Sequence, residues 1–197
     1  MKIEERMKRN GMSPPMEEHE PLADIILGVQ HVGLTVSNVD EALEWFREAL
    51  GFKEIFREDP IDIDNDYWAE ALGVPIGSKL EASVLIGCGA GIELELFQYS
   101  SPLERRKRPM NCEDGGHHLA LQVSDIHAAV KRLVEAGATP LGPVKDNPHG
   151  PWQGADWIYL KTPFGLTLEL LQFPKDGLGF ERRTGRRLNR PRRPTAG

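Results

Sequence analysis

The segment His31-Val-Gly-Leu-Thr-Val-Ser-Asn-Val-Asp-Glu-Ala is matched by His118-Leu-Ala-Leu-Gln-Val-Ser-Asp-Ile-His-Ala-Ala at a constant offset of 87 residues. Self-similarity of this kind means that one supersecondary unit is used twice, and two copies are too few for a solenoid. Each copy opens with strand-like alternation and then meets Ser followed by Asn38 or Asp125, residue types that begin helices. A helix is expected next. Its apolar positions are Val39, Ala42, Leu43, Phe46 and Leu50 in the first copy, closed by Gly51. In the second they are Ile126, Ala129, Val130, Leu133 and Val134, closed by Gly137. Both copies end alike, in Glu95-Leu-Phe-Gln-Tyr and Glu169-Leu-Leu-Gln-Phe. Further strands are predicted at 52–58 and 81–86, and at 139–144 and 157–160. Each half is therefore strand–helix–strand–strand–strand, a βαβββ module, and the fold class is α+β.

This reading divides the chain into an extended lead-in (1–24), a first module (25–112) with an inserted loop (59–80), a second module (113–174) and an Arg-rich tail (175–197). The net charge of −6 conceals a split along that division. Residues 178–197 hold seven arginines and one acid, Glu181, a local charge of +6 that leaves the rest of the chain at −12. The tail is expected to be solvated. An acidic body repels polyanions, so nucleic acid is not an expected partner. No stretch approaches the roughly 20 apolar residues of a membrane span. The first twenty residues lack the apolar core of a secretory signal. Two cysteines, Cys88 and Cys112, are too few for a disulfide framework, and a cytoplasmic location is expected.

Strand alternation selects the candidate site. Successive side chains of a strand point to opposite faces. Val32, Leu34 and Val36 oppose His31, Gly33 and Thr35, and Leu119, Leu121 and Val123 oppose His118, Ala120 and Gln122. In the closing strands Leu94 and Leu96 oppose Glu93 and Glu95, and Leu168 and Leu170 oppose Thr167 and Glu169. The aliphatic faces are expected to pack on the helices. The opposite faces carry His31, Glu95, His118 and Glu169 at repeat-equivalent positions. One such strand residue is most often solvated or paired, but four in register suit a divalent ion of the Fe, Co, Ni, Zn or Mn group. Glu93 shares a face with Glu95 and is an alternative ligand. His117, His19, His127 and His149 fall at positions better suited to structural or surface roles.

With these residues in view, the sequence from about 29 to 174 resembles the vicinal oxygen chelate superfamily. Its members include glyoxalase I, methylmalonyl-CoA epimerase, extradiol dioxygenases and bleomycin-resistance proteins. The resemblance implies paired modules whose mixed sheet curves into an open cup, with His31, Glu95, His118 and Glu169 as metal ligands. It further implies that Glu169 or Glu95 can loosen from the metal and act as the catalytic base. Four protein ligands resemble the members that move a proton beside a carbonyl. The expected function is thus a metal-dependent isomerase, epimerase or lyase acting on a small oxygenated carbonyl substrate. An extradiol ring-cleaving dioxygenase and a non-catalytic drug-binding protein of the same fold are the alternatives.

Two stretches, Asp114-Gly-Gly-His-His-Leu-Ala and Gly150-Pro-Trp-Gln-Gly-Ala-Asp-Trp-Ile-Tyr, look like the branch containing 2-epi-5-epi-valiolone epimerase, from whose pattern Phe164 and Leu166 depart. A base outside the ligand set could come from 59–70 or from Glu81, and 59–80 could form a lid or a plain loop. A cup closed within one chain and one closed across two chains both fit the pattern, and a homodimer is expected.

Overall fold

The computed structural model describes residues 28–89, 91–104 and 107–188. The lead-in 1–24 and the tail beyond 188 lie outside the described residues. From His31 onward the chain forms one compact unit.

The first half runs β1 (His31–Thr35), α1 (Val39–Leu50), β2 (Lys53–Glu58), β3 (Ile61–Ile63), α2 (Asp66–Leu72), β4 (Ser78–Gly87) and β5 (Glu93–Ser100). The second runs β6 (Leu119–Gln122), α3 (Ile126–Glu135), β7 (Thr139–Pro140), β8 (Lys145–Asp146), β9 (Asp156–Lys161) and β10 (Thr167–Gln172), followed by α4 (Gly179–Thr184). Each half builds its own mixed sheet of five strands. The orders are β1-β5-β4-β2 and β6-β10-β9-β7, with β3 added beside β4 and β8 beside β9. In both, the opening strand lies parallel to the closing strand, so that the His and Glu of one half come to neighbouring strands. The two halves are the repeated α+β modules expected from the sequence.

Local chemistry explains where the helices begin. Asn38 accepts hydrogen bonds from the Asp40 and Glu41 N–H groups, and Asp125 accepts one from Ala128 N–H. A second device was not foreseen. The Gln of each closing strand reaches across to its own module's helix: Val39 N–H donates to Gln98 Oε1 at 2.9 Å, and Ile126 N–H donates to Gln172 Oε1 at 2.7 Å. The repeated Gln therefore satisfies an N-terminal donor that the helix itself leaves open.

Leu34, Leu94 and Leu96 from one sheet and Leu168, Leu170 and Leu160 from the other belong to a single core with Phe46 of α1 and Ile126 and Leu133 of α3. Trp45, outside the predicted apolar set of α1, is central to it. Its indole Nε1–H donates to Ala136 O at 2.7 Å, and its ring meets Phe164 edge-on at 5.6 Å.

Three expectations require correction. The segment 59–80 is not a loop: it contains β3, α2 capped by Asn65, and the start of a ten-residue β4. The strand predicted at 139–144 survives only as Thr139–Pro140, with a separate two-residue strand beyond it at Lys145–Asp146, since Pro140 and Pro143 lack the N–H that a ladder needs. The tail is solvated only in part: residues 182–188 are exposed, as expected, but 177–181 are covered. Gly179 N–H donates to Gln153 O and Phe180 N–H to Pro151 O, so α4 is tied to the loop preceding β9. The Glu181 side chain is fully covered, accepting from Leu178 N–H (2.8 Å) and Leu188 N–H (3.1 Å) beside Arg187 at 3.5 Å. A side chain at Gly179 would meet Gly150 O at 2.6 Å, which accounts for glycine there.

Two stability measurements check this account. Gln98→Leu and Gln172→Leu should each lower unfolding free energy by about 1–2 kcal/mol in urea melts, because each strands a helix donor. Glu181→Ala should destabilise by about 2 kcal/mol and speed limited proteolysis of the C-terminal segment, since two backbone donors lose a charged acceptor.

Candidate functional site

His31 begins β1, and Glu95 lies on β5 opposite Gly33, one pleat further along. That stagger brings His31 Nε2 to 3.0 Å from Glu95 Oε2. The second module repeats it: Glu169 on β10 pairs with Ala120, and His118 Nε2 lies 3.2 Å from Glu169 Oε2. The imidazoles are 40% and 36% exposed and both carboxylates 15%. The acids are therefore more covered than the imidazole rings that meet them. Glu95, rather than Glu93, is the acid that meets the histidine.

Each carboxylate has a different second partner. Ser83, fully buried on β4, donates its hydroxyl to Glu95 Oε1 at 2.7 Å. Glu169 is hydrogen-bonded by Tyr159 of β9, whose ring also packs edge-on against His118 at 5.1 Å. Burial, reinforced by the charge of Glu169 and the hydrogen bond to it, pushes the Tyr159 phenol above its ordinary range. Burial followed by the charge of Glu95 does the same to Tyr99. Both phenols are therefore neutral donors at physiological pH.

The remaining candidates do not join these pairs. His117 is exposed, with Nδ1 at 3.2 Å from Gly115 O. His127 sits exposed on α3 and His149 in an exposed loop, while His19 lies outside the described residues. Glu81 accepts from Ser100 Oγ at 2.8 Å and pairs with Lys79 at 3.3 Å, and the Ser100 hydrogen bond followed by Lys79 holds it below the usual carboxylate range. One polar atom is orphaned: the buried Oε1 of Gln122, on the same face of β6 as His118, has no hydrogen-bond partner among the described residues.

The donors suit a divalent metal in type, one imidazole nitrogen beside one carboxylate in each module. Among the described residues, however, no three His, Cys, Asp or Glu side chains of one chain converge on a common point. The cause is visible in the core. Both sheets turn their aliphatic faces to it, and the His–Glu faces are the opposite ones. Each module thus presents one His–Glu pair on its own sheet face.

The model of the Glyoxalase/Bleomycin resistance protein/Dioxygenase superfamily matches residues 28–170. The chain belongs to that superfamily. It is 37% identical over 166 residues to a 2-epi-5-epi-valiolone epimerase from Actinomyces sp, covering 84% of this chain and 89% of that protein. Among solved structures, a glyoxalase family protein from Bacillus cereus superposes with a TM-score of 0.62 at 18% identity, covering 83% of this chain and 99% of the other. One from Enterococcus faecalis gives 0.51 at 23%, covering 75% and 98%. The two structural likenesses bear on the fold, and the epimerase on its chemistry. No helix among the described residues is long and apolar enough to cross a membrane.

The orphaned Gln122 leads to a signed prediction. Gln122→Leu should leave the melting temperature of the ligand-free protein unchanged or higher, because it removes an unsatisfied buried acceptor. A lower melting temperature would mean that Gln122 has a structural partner.

Proposed function

We propose that the protein is a metal-dependent epimerase that inverts a carbon next to a carbonyl in a small polyhydroxylated substrate. The observation that carries this reading is the pair of His–Glu couples at repeat-equivalent positions, each with its carboxylate fixed and its imidazole accessible. The similarity to a named epimerase gives the reaction type.

His31, Glu95, His118 and Glu169 would hold a divalent ion of the Fe, Co, Ni, Zn or Mn group, which when bound polarises a carbonyl oxygen and stabilises negative charge on it. The protein's own groups handle the proton. Inversion needs it removed from one face of the carbon and returned to the other. Glu95 and Glu169, supplied by the two modules, would approach the substrate from opposite sides, one as base and the other as acid. Ser83 and Tyr159 fix the carboxylate not engaged at a given moment and lower the cost of its charge in a partly covered site.

The two half-sites require a second chain. A homodimer in which the first module of one protomer faces the second module of its partner would unite four ligands twice, once on each side of the two-fold axis. This also supports the choice against the alternatives. A ring-cleaving dioxygenase needs positions left free for oxygen, whereas both glutamates here are retained, and a metal-free drug binder has no use for the repeated donors.

Incubation of the metal-loaded protein with 2-epi-5-epi-valiolone in D2O should place deuterium on the carbon beside the ketone as the epimer appears by NMR. Oxygen uptake with a catechol, without such exchange, would assign the dioxygenase instead. His118→Ala and Glu169→Ala should lose stoichiometric metal while keeping native circular dichroism.

The shared site has its own test. His31→Ala and His118→Ala should each be inactive alone. Mixed after subunit exchange, they should recover roughly a quarter of wild-type turnover, because half the dimers are mixed and each mixed dimer keeps one intact site. No recovery, with exchange demonstrated, would place all four ligands within one chain.

A further inference from the structure

Beside His31 and Glu95 lies a cleft of about 630 Å³, within the size range of small-molecule sites. It is lined by Gly33 and Thr35 of β1, Phe97 and Tyr99 of β5, and Ser78 and Ser101, with residues 71–75 at the end of α2 as its far wall. Gly33 is the register partner of Glu95, and Thr35 that of Phe97. The cleft therefore begins one pleat, roughly 7 Å, from the paired acid and histidine on the same face of the sheet.

Its chemistry is specific. Phe97 and Tyr99 stack on each other with centroids 5.8 Å apart and planes within 22°, an aromatic pair that forms the floor of the cleft. The floor depends on Gly33, since a Cβ there would come within 3.1 Å of the Phe97 ring. Hydroxyl groups surround it: Thr35, Ser78, Tyr99 and Ser101, with Ser78 and Ser101 at 3.4 Å from each other. No charged side chain lines the cleft among the described residues. The end of α2 at the wall is its carbonyl end, with Gly73 as the left-handed cap, and that end disfavours anions. Arg108 is directed to backbone, donating to Thr35 O at 2.5 Å.

An aromatic face attracts the partly positive C–H surface of a saturated ring, and hydroxyls at the rim exchange hydrogen bonds with ring hydroxyls. A phosphate ester would need cations or clustered N–H donors to replace its hydration. We infer that this cleft is the specificity subsite of the first module, seating a neutral polyhydroxylated ring on Phe97 and Tyr99 and rejecting its phosphate monoester. The inference rests on the proposed epimerase for the placement of the reacting carbon, but the binding preference stands apart from turnover. The second module has no such floor: Leu171 and Phe173 follow Glu169 where Phe97 and Tyr99 follow Glu95.

The test is direct binding by calorimetry to the full-length metal-loaded protein, using 2-epi-5-epi-valiolone and its phosphate monoester. The neutral ketone should bind at least about ten-fold more tightly than the ester. Phe97→Leu should weaken it by roughly ten-fold and Tyr99→Phe by roughly three- to ten-fold, with metal content and circular dichroism unchanged. Ser101→Ala, on the rim, guards against misfolding of the floor variants and should weaken binding by roughly three-fold. The inference is overturned if the ketone does not bind, if the ester binds as tightly, or if Phe97→Leu and Tyr99→Phe keep the wild-type affinity. Binding with the expected pattern but without deuterium exchange would remove the epimerase and leave the subsite. Exchange with unaltered affinity in the floor variants would do the reverse.

Discussion

The molecule depends on one core shared by two sheets. Either module alone has a single helix to cover its aliphatic face. Joined, α1 and α3 bring Phe46, Trp45 and Leu133 into one cluster with Leu96 and Leu168. Burying a side chain of this size contributes about 1.5–3 kcal/mol, so the common core outweighs any single polar contact in the molecule. It also determines what each sheet offers to solvent, because a strand has only two faces. With Leu94, Leu96, Leu168 and Leu170 turned inward, Glu95 and Glu169 must turn outward, and His31 and His118 follow their strands.

The polar contacts around the His–Glu pairs then set precision. Ser83 and Tyr159 hold equivalent acids by different means, one through a buried hydroxyl and the other through a phenol that also touches the histidine. Repeat symmetry at the level of the His–Glu pairs thus coexists with asymmetry around them.

The fold and the paired residues were legible because both follow from short periods. A period of two assigns faces in a strand, and one constant offset relates the modules, so His31 could be matched to His118 without tertiary information. What was not legible depends on contacts between distant residues. Gln98 and Gln172 are visible as a repeat, but their hydrogen bonds span 59 and 46 residues. Trp45 falls beside the apolar stripe of α1 because its partner lies on the other module's helix. Arginine content reports average solvation and holds for 182–188, but it does not reveal that the single acid, Glu181, is buried and gathers backbone donors around it. The inserted segment read as acidic loop because its helix is only seven residues long, too short for periodicity to stand out.

Gly33 and Ala120 occupy the same place in the two repeats and differ by one methyl group. In the second module that methyl group is accommodated, and in the first it would lie 3.1 Å from Phe97, whose ring would have to shift by a few tenths of an ångström. The duplicated halves are therefore no longer interchangeable. A chain built from two second modules would retain histidine and glutamate in both positions, yet would set Leu171 and Phe173 where the first module sets Phe97 and Tyr99, so one carbon atom at the opening strand separates two surfaces of different shape.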